Sequence, residues 1–253
     1  MKTEGLWCYV TTPQKAKMKA EPSSVVVSPE VPFPSANLSA SRTVSAFELL
    51  FGAFIVIGHN VFHIVPNEVI ILSVLGLISI RLRDGRWSAM GFKRPASWRR
   101  VLLIAVAAAA LRILLGQFVI EPLTGFYWPK PAAPALANEI TGNLKIALLA
   151  LLIVWTFAAF GEEIAYRGYL LTRAADIGFR STTAYWVGIV LVSILFGYGH
   201  YYKGPSGVID SGIAGLVLGT AFMLADRNLW PCVLAHGFID TFGIIEAFFG
   251  WST

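Results

Sequence analysis

Long apolar runs separated by polar connections dominate the hydrophobic pattern of this chain. The runs span residues 44–65, 67–80, 101–120, 144–166, 182–198, 207–225 and 229–249. Most approach the ~20 residues that an α-helix needs to cross a bilayer, although the second run is short. The pattern therefore predicts an all-α transmembrane helix bundle of about seven spans over residues 44–253.

The first 43 residues have a different pattern. No apolar stretch of signal-peptide length follows the early lysines. Five prolines interrupt the segment, namely Pro13, Pro22, Pro29, Pro32 and Pro34. We expect residues 1–43 to form a disordered cytoplasmic tail.

Composition strengthens the membrane interpretation, because 56% of the 253 residues are hydrophobic and only 14% are charged. The hydrophobic fraction is higher, and the charged fraction lower, than in a typical soluble domain. The net charge of +5 does not indicate nucleic-acid binding, because the basic residues lie mainly in the connections between apolar runs. The lipid bilayer is the expected partner, and nucleic acid is not.

The distribution of Lys and Arg predicts the orientation. The N-terminal segment and the second, fourth and sixth connections carry most of the basic residues, whereas the alternate connections hold only Lys130 and Lys203. The positive-inside rule then places the N-terminus in the cytoplasm and the C-terminus outside. In a prokaryote this membrane would be the plasma or inner membrane. Residues 121–142, rich in Pro, Ala and aromatic residues, are expected to form an outer loop.

Two adjacent carboxylates and an arginine stand out in the fourth run, as Glu162-Glu163-x-x-x-Arg167. Ionisable groups at such depth cost several kcal/mol each unless they are paired or hydrated, so they indicate a functional site. On a helix Glu163 and Arg167 share a face and can form an ion pair. Glu162 points about 100° away and stays free for chemistry.

Further polar residues follow in the fifth and seventh runs. His200 ends the motif Phe-x-x-x-His, and His236-x-x-x-Asp240 places a histidine and a carboxylate on one helix face. Counting about 1.5 Å per residue brings Glu162, His200 and His236 to one level if the hairpin between the fourth and fifth helices projects roughly 10–15 Å into the cytoplasm. That projection would place Arg173 and Arg180 in water, and the cavity is then expected to open to the cytoplasm.

These motifs, together with a glycine-rich helix at Gly212, Gly215 and Gly219 and with Asn-Leu-Trp-Pro at 228–231, resemble the CPBP family of intramembrane proteases. That family includes the Rce1-type CAAX prenyl proteases and the bacterial Abi and bacteriocin-immunity proteins, and the resemblance covers about residues 143–245. It implies hydrolysis of a peptide bond in a membrane-associated or lipidated protein. By the same resemblance, Glu162 and His200 activate water, Glu163 and Arg167 hold the site together, and His236 with Asp240 stabilises the tetrahedral intermediate. Asp240 departs from the family's frequent Asn and is better interpreted as orienting His236 or as a metal ligand, because an ionised carboxylate cannot donate to an oxyanion.

The role of a metal stays open at this point. A desolvated glutamate with an imidazole is a competent general base without metal. Glu162, His200 and His236 would equally suit Zn²⁺ with an open water position. We favour the metal-free mechanism.

Other interpretations concern residues outside the motifs and other classes of protein. His59-x-x-x-His63 has metal-pair spacing but is expected to be a hydrated interfacial pair far from the site. Arg112, deep in the third run, either counters a carboxylate near the site or snorkels. A non-catalytic immunity or scaffold protein with the same fold is the alternative to an enzyme. A transporter is disfavoured because no inverted repeat is visible.

Overall fold

The computed structural model describes residues 41–128 and 135–251. Within these residues the chain is all-α and contains eight helices and no strand. They are α1 Arg42–Asn60, α2 Glu68–Arg83, α3 Trp98–Tyr127, α4 Ala135–Ile140, α5 Leu144–Ile177, α6 Thr182–Tyr198, α7 Gly204–Leu224 and α8 Trp230–Phe249. The predicted all-α membrane bundle is therefore confirmed.

Two predicted boundaries need correction. Helix α1 begins at Arg42, two residues before the predicted start, because the Ser41 hydroxyl accepts a hydrogen bond from Val44 N at 3.3 Å and caps the helix. The remainder of the predicted tail lies outside the described residues. The expected outer loop over 121–142 is wrong in part, since α3 continues to Tyr127 and α4 occupies Ala135–Ile140.

Five helices are long and apolar enough to cross a membrane, namely α1, α3, α5, α8 and α7 with its preceding turn. Helix α6 is apolar but has 17 residues, and α2 has 16. At 1.5 Å per residue the latter two span roughly 24–26 Å, less than the ~30 Å hydrocarbon core. Seven spans stay a prediction.

The centre of α5 has an unusual geometry. Residues Val154–Leu170 form a wide π-helix in which Leu171 N–H bonds to Tyr166 O, five residues back. Such segments are rare, and they frequently occur at functional sites. The motif Glu162-Glu163-x-x-x-Arg167 lies inside this segment.

Helices α6 and α7 approach each other closely along their glycines. A Cβ on Gly215 would lie 2.9 Å from Ser193 Cα, and one on Gly219 would lie 2.6 Å from Ile189 Cγ2. Small residues at these positions allow the two backbones to pack against each other. The glycine series of α7 thus has a packing function, and this packing helps to place His200 at the end of α6.

A buried ion network connects α1, α2 and α5 at the end of the bundle where α1 begins. Arg173 is fully buried and contacts Glu48 at 3.0 Å, Asp84 at 3.0 Å and Asp176 at 2.9 Å. Arg83 and Arg180 bind the same group of carboxylates. The expectation that Arg173 projects into water is therefore wrong, because three carboxylates hold it inside the protein.

Candidate active site

An ion pair and an imidazole converge on one oxygen of Glu163. Arg167 Nη1 donates to Glu163 Oε1 at 2.8 Å, which confirms the ion pair predicted from the spacing. His236 Nδ1, from α8, lies 2.8 Å from the same oxygen. All three side chains are buried, so these contacts hold α5 against α8.

Glu162 differs from its neighbour in having no donor among the described residues. Its Oε2 atom is buried without a hydrogen-bond partner, and the nearest basic atom is His236 Nε2 at 4.0 Å. Buried polar atoms are rarely left unsatisfied unless a water, an ion or a functional role accounts for them. The carboxylate of Glu162 is therefore available to bind and deprotonate water.

Glu162 and His200 line one cavity of about 210 Å³. His200 Nδ1 donates to Phe196 O at 3.0 Å, because a carbonyl oxygen only accepts. In the neutral ring this leaves Nε2 as an acceptor. The structure thus brings the predicted carboxylate and imidazole to the lining of one cavity.

Tyr166 is a site residue that the motif analysis missed. Its side chain is buried and lines the same cavity, and its hydroxyl makes no hydrogen bond to any described residue. The ring packs edge-on against Phe196 with centroids 5.0 Å apart. Its position four residues after Glu162 was the available signal, because on a helix that spacing brings two side chains to one face.

Asp240 lies beside His236 but does not orient it by a hydrogen bond. The distance from His236 Nε2 to Asp240 Oδ2 is 3.6 Å, whereas Nδ1 is held by Glu163 at 2.8 Å. Glu163 is therefore the residue that sets the orientation of this ring. Three carboxylates surround His236 within 4.0 Å, those of Glu162, Glu163 and Asp240.

Arg112 counters a carboxylate and does not snorkel. Its Nη2 atom contacts Asp210 Oδ2 at 2.5 Å, joining α3 to α7. Asp210 lies six residues after Gly204, where α7 begins, and the sequence analysis did not single it out. An isolated aspartate in a long apolar run was the signal that could have identified it.

The interpretation of His59 as remote from the site is wrong. His59, Asn60 and Glu68 line the cavity together with Glu162 and His200. His63, with a positive φ of 55°, lies in the connection between α1 and α2 and does not line it. Short runs give little information about which helix ends meet, so sequence counting left His59 outside the site.

The cavity also lies at an unexpected end of α1. Its lining residues His59 and Asn60 end α1, Glu68 begins α2, and His200 follows α6. Arg42, at the opposite end of α1, is about 26 Å from His59 along the helix. A cytoplasmic N-terminus and a cavity opening to the cytoplasm are therefore two predictions in conflict.

The alternative zinc ligand set is not assembled among the described residues. No group of three or more His, Cys, Asp or Glu side chains is arranged to hold a metal ion in residues 41–128 and 135–251. Glu162 lies 4.0 Å from His236 and lines one cavity with His200, but the three do not form such a group.

Comparison with known proteins gives a family match over part of the chain. Residues 144–242 match the family model described as type II CAAX prenyl endopeptidase Rce1-like. No curated protein and no solved structure shows a significant match. The matched segment contains the motifs of α5, α6 and α8, and the family predicted from those motifs is confirmed: the chain carries an Rce1-like region over residues 144–242.

Proposed function

We propose that this protein is an intramembrane endopeptidase that hydrolyses a peptide bond in a membrane-associated substrate. The observation that carries the proposal is the unpaired carboxylate of Glu162 beside His200 in a polar cavity. The Rce1-like match supports protease activity and favours a prenylated CAAX-type protein as substrate.

The proposed reaction starts with a water molecule in the cavity. Glu162 takes a proton from this water, and the Nε2 lone pair of His200 orients it. The resulting hydroxide bonds to the carbonyl carbon, and the C–N bond then breaks. The Tyr166 hydroxyl is the cavity donor that stabilises the negative oxygen of the tetrahedral intermediate.

Glu163, Arg167 and His236 act as positioning residues in this scheme. Arg167 and His236 each contact Glu163, and none of the three lines the cavity. His236 Nε2 lies 4.0 Å from Glu162 Oε2. The His236 imidazole thus forms part of the polar surroundings of the Glu162 carboxylate without lining the cavity itself. Asp240 lies near the same ring nitrogen, with its Oδ2 atom 3.6 Å from His236 Nε2.

The cavity dimensions restrict how a substrate binds. A volume of about 210 Å³ lined mainly by polar groups accommodates the scissile peptide and water but not a long isoprenyl chain. A lipid group of the substrate would therefore lie outside the cavity, against apolar helix surfaces exposed to the bilayer. This arrangement suits a substrate presented from the membrane.

The test uses purified protein in detergent with prenylated and unprenylated CAAX peptides. We expect the prenylated peptide to be cleaved and Glu162→Gln and His200→Ala each to lower the rate by about 10²–10⁴-fold, as loss of a general base does. Arg99→Met, a change at an exposed residue outside the site, is the matched control. Unchanged cleavage in Glu162→Gln would contradict the proposed base, and no cleavage of any peptide would favour the non-catalytic alternative.

A further inference from the structure

A second polar group faces the cavity from the helices that precede the Rce1-like region. His59 Nε2 lies 3.1 Å from Glu68 Oε2, and Asn60 Nδ2 donates to Glu68 Oε1 at 3.0 Å. Glu68 is 6% exposed, so its carboxyl group is held inside the protein by these two partners. Two helix ends therefore combine to build one acid–base pair.

The hydrogen bonds of His59 restrict where a mobile proton can reside. Nδ1 lies 2.9 Å from Val65 O and must donate to it, because a carbonyl oxygen only accepts. The Nε2 atom lies 3.1 Å from Glu68 Oε2, close enough for one proton to lie between them, carried by either atom. The pair can thus carry a single transferable proton, and a third of the His59 side chain is exposed.

Helix packing places this pair level with the proposed base. Ser73 Oγ in α2 donates to Gly161 O in α5 at 2.9 Å, and Val69 Cγ1 lies 3.1 Å from the Cβ position of Gly161. Glu68 precedes Val69 and Glu162 follows Gly161, so the two glutamates occupy neighbouring positions on packed helices. Both line the same cavity, which has room for several waters.

Peptide hydrolysis requires two proton transfers, and Glu162 accounts for one of them. Glu162 removes a proton from water, but the departing nitrogen must also gain a proton as the C–N bond breaks, since an amide anion is a very poor leaving group. A carboxyl group with a shared proton, separate from the base, suits this second transfer.

We propose that Glu68, with its proton shared with His59, protonates the leaving amine. This inference rests on the proposed function. The nitrogen takes the shared proton and leaves as a neutral amine, and the carbonyl carbon keeps the hydroxyl group from water. The proton on Glu162 then returns through cavity water to the Glu68–His59 pair, which restores both groups; no other reactant is needed.

The test compares two substrates that differ only in the leaving group. One is a peptide amide, and the other is the matching peptide ester of a phenol, whose leaving group departs without a proton. Glu68→Gln keeps the size of the side chain and an oxygen to accept from Asn60 but cannot hold the proton. Glu162→Gln is the companion variant, because it removes the base that both substrates need.

We expect Glu68→Gln to slow amide cleavage by about 10²-fold and to leave ester cleavage within about 3-fold of the original protein. Glu162→Gln should slow both. An equal loss on both substrates, or no loss on either, would overturn the role of Glu68 while leaving the endopeptidase proposal intact. Cleavage of neither substrate by the unchanged protein would overturn both.

Discussion

At the scale of single residues, Glu163 shows how one buried carboxylate organises its surroundings. Its Oε1 atom accepts from Arg167 on its own helix and contacts His236 on α8, each at 2.8 Å. The Arg167 guanidinium also lies over the Phe196 ring at 4.3 Å. Removing one member therefore leaves a charge inside the protein without its counter-ion.

Arg167→Met should destabilise the protein by about 3–5 kcal/mol, the usual cost of leaving one partner of a buried ion pair uncompensated. The double variant Arg167→Met with Glu163→Leu should be less destabilised than the single variant, because no unpaired charge remains. Thermal unfolding in detergent measures both. A double variant at least as unstable as the single one would contradict this account of the pair.

Sequence spacing predicts side-chain contacts within one helix but not contacts between helices. The Glu163–Arg167 contact follows from four-residue spacing on one helix. The Arg112–Asp210 and His59–Glu68 contacts join different helices, and the partners of the first pair are 98 positions apart in the sequence. Local periodicity contains no information about such pairings, so both carboxylates were missed.

At the scale of elements, α6 positions His200 through its packing against α7. Gly197 lies three residues before His200, and a Cβ there would stand 2.5 Å from Val208 O of the α7 backbone. The backbone oxygen of Val208 cannot move away from an added Cβ as the end of a flexible side chain could. The close approach of α6 and α7 thus requires a glycine at position 197.

Gly197→Ala should therefore lower the unfolding temperature and reduce cleavage, since α6 must shift together with the His200 backbone. Gly212→Ala is the matched control, because its added Cβ would meet only Ser193 O at an ordinary 3.5 Å. Both changes add the same methyl group to a helical glycine, which alone favours the helix. Equal effects of the two variants on unfolding temperature and cleavage would contradict a steric cause.

At the scale of the whole molecule, the arginine–carboxylate network and the polar cavity lie at different ends of the described helices. Arg83, Arg173 and Arg180 lie with their carboxylates at one end of α1, and the cavity lies at the other. The positive-inside rule assigns the arginine-rich end to the cytoplasm. By that rule the cavity lies nearer the opposite face of the membrane.

Cysteine labelling tests this orientation. Phe62→Cys, beside the cavity end of α1, should react with an impermeant reagent in intact cells, and Arg94→Cys, in the connection after α2, should react only after permeabilisation. Both variants are made with Cys8→Ser and Cys232→Ala, so that neither native thiol contributes. The reverse labelling pattern would place the cavity at the cytoplasmic face and contradict the charge rule.

The sequence by itself determined the class of the protein and the residues of its central motif. Apolar runs of bilayer length predict membrane helices, because every backbone polar group must be satisfied within lipid. The site candidates were recognisable because charged and imidazole side chains are costly in such runs and are usually kept for a function. They are Glu162, Glu163, Arg167, His200, His236 and Asp240. The family assignment followed from their order and spacing.

Only the tertiary structure decided which helix ends meet and what shares the cavity. Arg173 is buried because three carboxylates, on α1, directly after α2 and near the end of α5, converge on it. His59 and Glu68 join Glu162 because α2 packs along α5, a contact between segments about ninety residues apart. Such contacts depend on how whole helices pack in three dimensions, whereas periodicity reports only the faces of single helices.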